Sequence, residues 1–280
     1  MRSLFVALGL IGLSFPASAA DYGLPRYEPL PGLRGSQTFV PASPVYPRWD
    51  GFYVGGQLSY SSGNSDFSAA TQPLVAFSLR NTTILDQMTP DQWPVLGTNE
   101  PGAAGFGGFL GYNFQWDNAV IGLEFNYTHS ALNADAPSSP LARRQNVGNL
   151  IEDVAITANG SLHISDFATT RARFGWVIDN FMPYATIGLA FGRADMAVST
   201  DVLVTETDPN TKLVVDQFDF PQSQSKNQAY LYGFSGGAGL EVAFTPNLFG
   251  RGEYEYIQWQ RLWQIASGMH NFRLGLGVRF

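Results

Sequence analysis

The sequence predicts an all-β protein whose eight antiparallel strands close into an up-and-down barrel. The clearest observation is the carboxyl-terminal run 270–280, in which apolar and polar residues alternate without a break. Side chains alternate faces along a strand, so this run has one apolar and one polar face. Seven earlier segments alternate in the same way: 49–60, 105–115, 119–128, 166–177, 183–192, 228–243 and 249–258.

The connections between these segments alternate in length. Three are short turns, at 115–118, 178–182 and 244–248, and the others are mostly long: 61–104, 129–160, 193–227 and 259–269. This asymmetry is typical of a transmembrane barrel with short periplasmic turns and long extracellular loops. A soluble lipocalin-like barrel also has eight strands and is the alternative, but it would not usually carry all its longer loops at one end.

The amino terminus predicts export. The apolar run from Leu4 to Phe15 follows Arg2 and precedes small residues that suit cleavage after Ala19 or Ala20, so residues 1–20 are predicted to be a signal peptide. A buried helix is the alternative. Residues 21–48 carry six prolines and predict an extended periplasmic tether: Pro25, Pro29, Pro31, Pro41, Pro44 and Pro47. The barrel itself is predicted over 49–280.

Composition limits the classes of protein and partner that the chain can represent. The chain has no cysteine, so no disulfide stabilises it. Its net charge of −7 argues against nucleic acid as a partner. Its mean hydropathy of −0.05 resembles that of a soluble protein. A membrane barrel has the same average, because only every second strand residue meets lipid.

The polar face holds nearly all the charges of the strands. An eight-stranded barrel is only wide enough to be filled by its own side chains, so these charges are expected to pair inside the lumen. The hairpins suggest that Glu241 lies near Arg251 and that Glu253 or Glu255 lies near Arg273. A narrow ion path is the alternative to such a plug. The predicted lumen network comprises Glu124, Arg171, Arg173, Glu241, Arg251, Glu253, Glu255, Arg273 and Arg279.

The apolar face predicts two further features. A last strand that ends on an aromatic residue resembles the signal that outer-membrane barrels present to their assembly machinery, here Phe272, Leu274, Leu276, Val278 and Phe280. Aromatic residues near the strand ends suit interfacial girdles: Phe52 and Trp176 at the periplasmic side, and Tyr60, Tyr127, Tyr230 and Tyr256 at the outer side. The expected partners are outer-membrane lipid, lipopolysaccharide and the barrel-assembly machinery, with the protein a monomer or weak oligomer.

No catalytic, metal or cofactor site is predicted. Strand parity puts His129 and His163 on opposite faces, which makes them a poor ligand pair for a metal or haem. Neither Ser130 nor another hydroxyl has a combined His and Asp arrangement that the sequence can place beside it, so the protein is not expected to be an enzyme. The acidic stretch 193–227 predicts a solvated, mobile loop, with a cation site or a partner surface as the alternative.

Several motifs resemble one known family. Residues 49–56, with the sequence Trp-Asp-Gly-Phe-Tyr-Val-Gly-Gly, resemble the opening strand of small outer-membrane proteins of alphaproteobacteria. Residues 182–192, 237–241 and 251–254 are similar to later strands of that family. It belongs to the OmpA-like membrane-barrel superfamily and includes abundant surface antigens. The resemblance implies an outer-membrane barrel, often called porin-like, with some relatives described as haem-binding or adhesive.

The predicted function is a structural or surface-interaction role in the outer membrane, with a lumen largely filled by paired Glu and Arg side chains. Two alternatives stay open. One is a porin-like channel for small solutes or ions, and the other is a binder whose loops capture haem or a host molecule.

Overall fold

The computed structural model describes residues 48–280, so the predicted signal peptide and almost all of the predicted tether lie outside the described residues. Strands dominate this part of the chain. They are β1 Gly51–Asp66, β2 Thr98–Asn99, β3 Gly102–Trp116, β4 Ala119–Asp135, β5 Leu141–Val147, β6 Leu150–Trp176, β7 Phe181–Thr207, β8 Val214–Ala243, β9 Leu248–Trp259 and β10 Ala266–Arg279. Two short helices, α1 Gln72–Ser78 and α2 Ile84–Met88, and a 3-10 helix at Pro90–Gln92 lie between β1 and β2.

Eight long strands form a closed antiparallel ring. Going round it, the order is β1, β3, β4, β6, β7, β8, β9 and β10, and β10 pairs with β1 to complete the circle. The closing seam runs from Tyr53 opposite Arg279 to Asp66 opposite Ala266. Because the ring closes, none of the eight strands has a free edge within the closed part of the ring. The predicted eight-stranded fold is confirmed.

The lower half of the barrel, which ends at the three short turns, is apolar outside and polar inside. Along β4, for example, Ile121, Leu123 and Phe125 are exposed on the outer wall while Glu124 and Asn126 are buried. The same alternation holds in the other seven long strands, as their apolar residues predicted.

The upper half differs from the prediction. The stretches 129–160 and 193–227 are not loops for most of their length, because β4, β6, β7 and β8 continue far beyond the predicted strand ends. Only a turn at 208–213 separates β7 from β8. The prediction was wrong because acidic, polar residues on the outer face of these extensions resemble loop composition. Their inner face is mainly apolar.

A β-bulge at Ser165 marks the change in β6. Asp166 pairs with Arg193 and Ile164 with Ala194, so Ser165 is the extra residue. Even-numbered residues face outward below the bulge and inward above it. His129 and His163 therefore both point to the outside of the sheet, and the prediction of opposite faces was wrong because it assumed an unbroken alternation.

The stretch 61–104 also departs from a simple loop. After β1 it forms the cap segment, residues 67–97, which contains α1, α2 and the 3-10 helix. Phe67, Val75, Leu79 and Trp93 of this segment are buried against the inner faces of the extended strands. Within residues 48–280, no helix is long and apolar enough to cross a membrane.

Candidate functional site: the barrel lumen

A charged layer fills the middle of the lumen, with Arg171 of β6 at its centre. The Arg171 Nη1 atom lies 2.6 Å from Glu253 Oε1 and 3.0 Å from Glu255 Oε1, both on β9. Its other terminal nitrogen pairs with Glu124 of β4. All four side chains are fully buried. The planar guanidinium, with its fork of donors, allows one side chain to neutralise carboxylates from two strands.

Three more arginines extend the layer across the barrel. Arg251 Nη1 lies 2.8 Å from Glu124 Oε2, and Arg273 lies 2.8 Å from Glu253 Oε1 and 2.5 Å from Glu255 Oε2. Arg173 Nη2 lies 2.9 Å from Glu241 Oε1. The structure thus joins eight of the nine residues of the predicted network.

The pairing within this layer differs in one place from the expected one. Glu241 and Arg251 are cross-strand neighbours, as the hairpin suggested. Their ion pairs, however, reach across the lumen to Arg173 and Glu124 respectively. Hairpin register gives neighbours along the wall, whereas the partner of a long inward side chain depends on which strands face each other across the cylinder.

Arg279 is the predicted member that the structure does not place in the network. Its guanidinium carbon lies 4.5 Å from the centre of the Trp49 ring, and its Nη2 atom donates a hydrogen bond of 3.0 Å to the Pro246 carbonyl. Among the described residues, no carboxylate oxygen lies within ion-pair distance of its guanidinium nitrogens. Arg279 therefore lies against the aromatic residues that close the lower end.

Neutral residues that the sequence analysis did not single out complete the layer. The Tyr53 hydroxyl donates to Glu124 Oε2 and the Tyr184 hydroxyl donates to Glu253 Oε2, each at 2.8 Å. Gln57 accepts a hydrogen bond of 2.8 Å from Arg251. Their position on the polar face of the strands was a signal for this role, because an inward tyrosine in a narrow barrel needs a partner for its hydroxyl.

An aromatic layer closes the lumen below the charges. Trp49, Tyr53, Phe109 and Phe249 are buried together, with ring centroids of Trp49 and Phe249 6.4 Å apart. The backbone N–H of Trp49 donates to Gln115 Oε1 at 2.6 Å and holds the start of the barrel in this position.

An apolar layer closes the lumen above the charges. Phe167 and Trp259 pack edge to face with centroids 6.5 Å apart, and Ile164, Leu162 and the cap segment continue this core upward. The charged side chains are therefore enclosed between two layers of packed apolar groups.

The terminal strand and the predicted girdle residues all lie on the outer wall. Phe272, Leu274, Leu276, Val278 and Phe280 are exposed there, as are Phe52, Tyr60, Tyr127, Trp176, Tyr230 and Tyr256. The Phe280 N–H donates to the Phe52 carbonyl at 2.9 Å, and the two rings lie 6.3 Å apart. An assembly signal and an interfacial girdle remain predictions for these residues.

The histidines do not form a site with one another. His129 Nδ1 lies 2.8 Å from Asp166 Oδ1, and His163 contacts Asn133. Residues 48–280 contain no group of three or more His, Cys, Asp or Glu side chains arranged to hold a metal ion.

Comparison with known proteins decides the family. The sequence model of the family described as outer membrane protein beta-barrel domain matches residues 38–280. The chain belongs to this family. It is therefore an integral protein of the Gram-negative outer membrane, and the soluble lipocalin-like alternative no longer applies.

Named relatives agree with this assignment. A 25 kDa outer-membrane immunogenic protein of Brucella ovis is 26% identical, with 100% of this chain and 98% of the relative covered. A 22 kDa outer membrane protein of Rhizobium leguminosarum bv. viciae is 28% identical over 85% of this chain and 82% of the relative. These names describe outer-membrane proteins and not enzymes. Among solved structures, the attachment invasion locus protein Ail of Yersinia pestis aligns with a TM-score of 0.36 and 16% identity, covering 82% of this chain and 99% of Ail.

Membrane residence explains the inside-out lower half. Leu58, Leu123 and Leu274 are among the exposed apolar residues of the outer wall, where they face acyl chains. A Lys or Arg at the bilayer midplane of this wall would cost about 2–4 kcal/mol. Four arginines of the lower barrel point instead into the lumen, where carboxylates neutralise them: Arg171, Arg173, Arg251 and Arg273.

Proposed function

We propose that this protein is a closed outer-membrane barrel with a structural and surface-presenting role. The observation that carries the proposal is the filling of the lumen by three successive layers, which are aromatic at the lower end, charged in the middle and apolar at the upper end. A porin needs a continuous aqueous path, and none of these layers provides one.

The energetics of the charged layer support a closed state. Removing one partner from a buried ion pair costs about 3–5 kcal/mol, because it leaves a charge without compensation. Arg171 is shared by Glu124, Glu253 and Glu255, so moving it aside to admit a solute would break several pairs at once.

The upper half supports the surface role. The extended strands and the cap segment form a structured body above the lipid-facing wall, with its own apolar core. The Brucella relatives are named immunogenic proteins, and a rigid body displayed above the outer leaflet is a suitable antigen. Lipopolysaccharide is then its immediate surrounding, and the terminal strand with Phe280 is the feature offered to the assembly machinery.

Conductance in planar lipid bilayers tests the proposal. The purified full-length protein, reconstituted from detergent, is expected to give no steady channels in concentrated KCl. Detergent without protein is the blank, and gel mobility of the unheated sample shows that the barrel is folded. Steady steps of uniform size from folded protein would contradict the closed state and support the porin alternative.

A further inference from the structure

Among residues 48–280, no strand pairs with the outer edge of the upper part of β8, hereafter the free edge. β8 pairs with β7 along nearly its whole length, from Val214 to Val242, but with β9 only from Gly233 to Ala243. Most side chains between Val214 and Gln228 are exposed. Unpaired N–H and C=O groups along such an edge can accept another strand.

Three rows of side chains on the inner face of the upper sheet end at this edge. Each row runs across β6, β7 and β8 through directly paired residues. The rows are Glu152, Glu206 and Asp216; Val154, Val204 and Phe218; and Ile156, Val202 and Phe220. The first row is acidic, and the second and third rows are apolar.

Each of the two apolar rows ends at the β8 edge on a phenylalanine ring that is not fully buried. Val204 is 1% exposed, but Phe218, the next member of its row, is 41% exposed. The rings of Phe218 and Phe220 stack with centroids 6.4 Å apart, so they present one continuous apolar surface at the edge. A further strand beside β8 would place its own side chains against these rings and remove them from water.

The acidic row has no cationic partner in the described part of the chain. Glu152 is only 8% exposed, and its Oε2 atom has no hydrogen-bond partner among these residues. Burial together with the charge of Glu206 raises the pKa of the Glu152 carboxyl. Among residues 48–280, no Lys or Arg forms an ion pair with any of the three carboxylates of this row, whereas Arg144 on the outer face is paired with Asp153. A basic side chain at the end of the row would neutralise it.

We propose that the free edge of β8 binds an extended segment of another protein as an added strand, in which two apolar residues and a basic residue alternate on one face. In the antiparallel direction the segment reads apolar, any, apolar, any, basic, opposite Phe220, Phe218 and Asp216. The opposite face favours a basic residue as well, because Asp219 lies close to Asp201 there and raises its pKa. The inference rests on the proposed surface role for the accessibility of this edge.

The β8 edge of a second copy of the chain cannot place a matching side chain opposite all three rows. In the antiparallel register that pairs Asp216 with Lys226, Phe218 would lie opposite Gln224. In the register that pairs Phe218 with itself, Asp216 would lie opposite Phe220. A foreign segment of the stated pattern completes the rows without either mismatch.

The test uses the full-length protein in detergent micelles and the fluorescein-labelled peptide Thr-Ile-Lys-Val-Thr-Lys-Thr. Fluorescence anisotropy is expected to show saturable binding, and no binding of the peptide in which both lysines are replaced by glutamate. Asp216→Lys is expected to weaken binding about fivefold, the upper end for one cross-strand pair, while Asp135→Lys, an exposed change of the same type on β4, leaves it unchanged. Phe218→Thr is expected to weaken it also.

N-methylation distinguishes strand addition from simple charge attraction. Alternate residues of an antiparallel strand direct their N–H groups toward the partner strand. Methylating one alternate set of peptide nitrogens is therefore expected to abolish binding, and methylating the other set is expected to preserve it. Equal effects of the two sets, or equal effects of Asp216→Lys and Asp135→Lys, would overturn the proposal. So would a protein that is dimeric in micelles and becomes monomeric only in the Phe218→Thr variant. A negative peptide result leaves the bilayer test of the closed lumen unaffected.

Discussion

At the scale of single residues, Arg171 pairs with more carboxylates than any other arginine among the described residues. It contacts carboxylates from β4 and β9 while belonging to β6, so it ties three strands together through the interior. Arg144 offers the opposite case, because it pairs with Asp153 at 2.6 Å on an exposed surface. Exposed pairs contribute little to stability, typically about 0.2–1 kcal/mol.

Replacing Arg171 therefore tests whether the charged layer stabilises the barrel. Arg171→Met is expected to lower the free energy of unfolding by about 3–5 kcal/mol, because it leaves buried carboxylates uncompensated. Urea unfolding of the protein refolded in detergent micelles, followed by tryptophan fluorescence, measures this loss. Arg144→Met is the matched control and is expected to change it by less than about 1 kcal/mol. Equal losses in the two variants would contradict the assigned role.

Phe280 provides the second test at this scale. Its removal takes away one hydrogen bond to Phe52 and an exposed ring, which is a small loss for the folded barrel. If Phe280 is read by the assembly machinery, its deletion is expected to reduce the amount of protein in the outer membrane severalfold while purified protein still refolds in micelles. Phe181→Ala, which also removes an exposed aromatic ring near the lower end, is expected to leave the yield unchanged. Normal yield after deletion of Phe280 would argue against the signal.

At the scale of elements, β6 combines two environments in one strand. Its even-numbered apolar residues, such as Ala172 and Phe174, face lipid below the bulge, whereas Ile164 and Ile156 face the upper core. The bulge at Ser165 turns the strand over between them. Without this extra residue, the same sequence would expose the upper apolar face to water.

Deleting Ser165 tests this account of β6. The variant is expected to keep a trypsin-resistant lower barrel but to lose the protection of the upper sheet, with rapid cleavage at Arg143 and Arg144. Deleting Asn210, in the turn between β7 and β8, is expected to preserve protection, because the side chain there is exposed and outside any strand. Limited proteolysis followed by mass spectrometry compares the two. A trypsin-resistant upper sheet in the Ser165 deletion would refute the role of the bulge.

The same elements show what the sequence can and cannot predict. The outer wall of all eight strands follows from alternation, because lipid on one side and a narrow lumen on the other leave little choice of residue. The upper extensions could not be recognised in this way, since polarity there is reversed and the parity of β6 changes at Ser165. The cap segment was missed because its helices are short and their burial depends on contacts with distant strands such as β6.

The lumen residues, too, could be predicted only in part from the sequence. Alternation identifies Glu124 and Arg173 as inward residues, and eight of the nine predicted residues form one network. Which carboxylate meets which arginine depends on geometry across the cylinder, and hairpin register does not contain that information. Arg279 lies too near the lower rim to reach the network and stacks on Trp49 instead.

At the scale of the whole molecule, one sheet that is closed in its lower half faces two environments, lipid below and water above. Its lower half is apolar outside and charged inside, and its upper half is apolar inside and polar outside. The lower half is suited to lipid and the upper half to water, with the packed interior continuous between them. A rigid, lumen-filled body that projects above the membrane follows from this arrangement.

Single-cysteine labelling tests this arrangement most directly, because the natural chain contains no cysteine. Thr169 and Thr170 are neighbours in β6, the first buried in the lumen and the second exposed on the outer wall. In native outer membranes, Thr169→Cys is expected to resist both a charged, water-soluble maleimide and a lipid-soluble one. Thr170→Cys is expected to react only with the lipid-soluble reagent. Labelling of Thr169→Cys by the charged reagent in the folded protein would show a water-filled lumen and contradict the account.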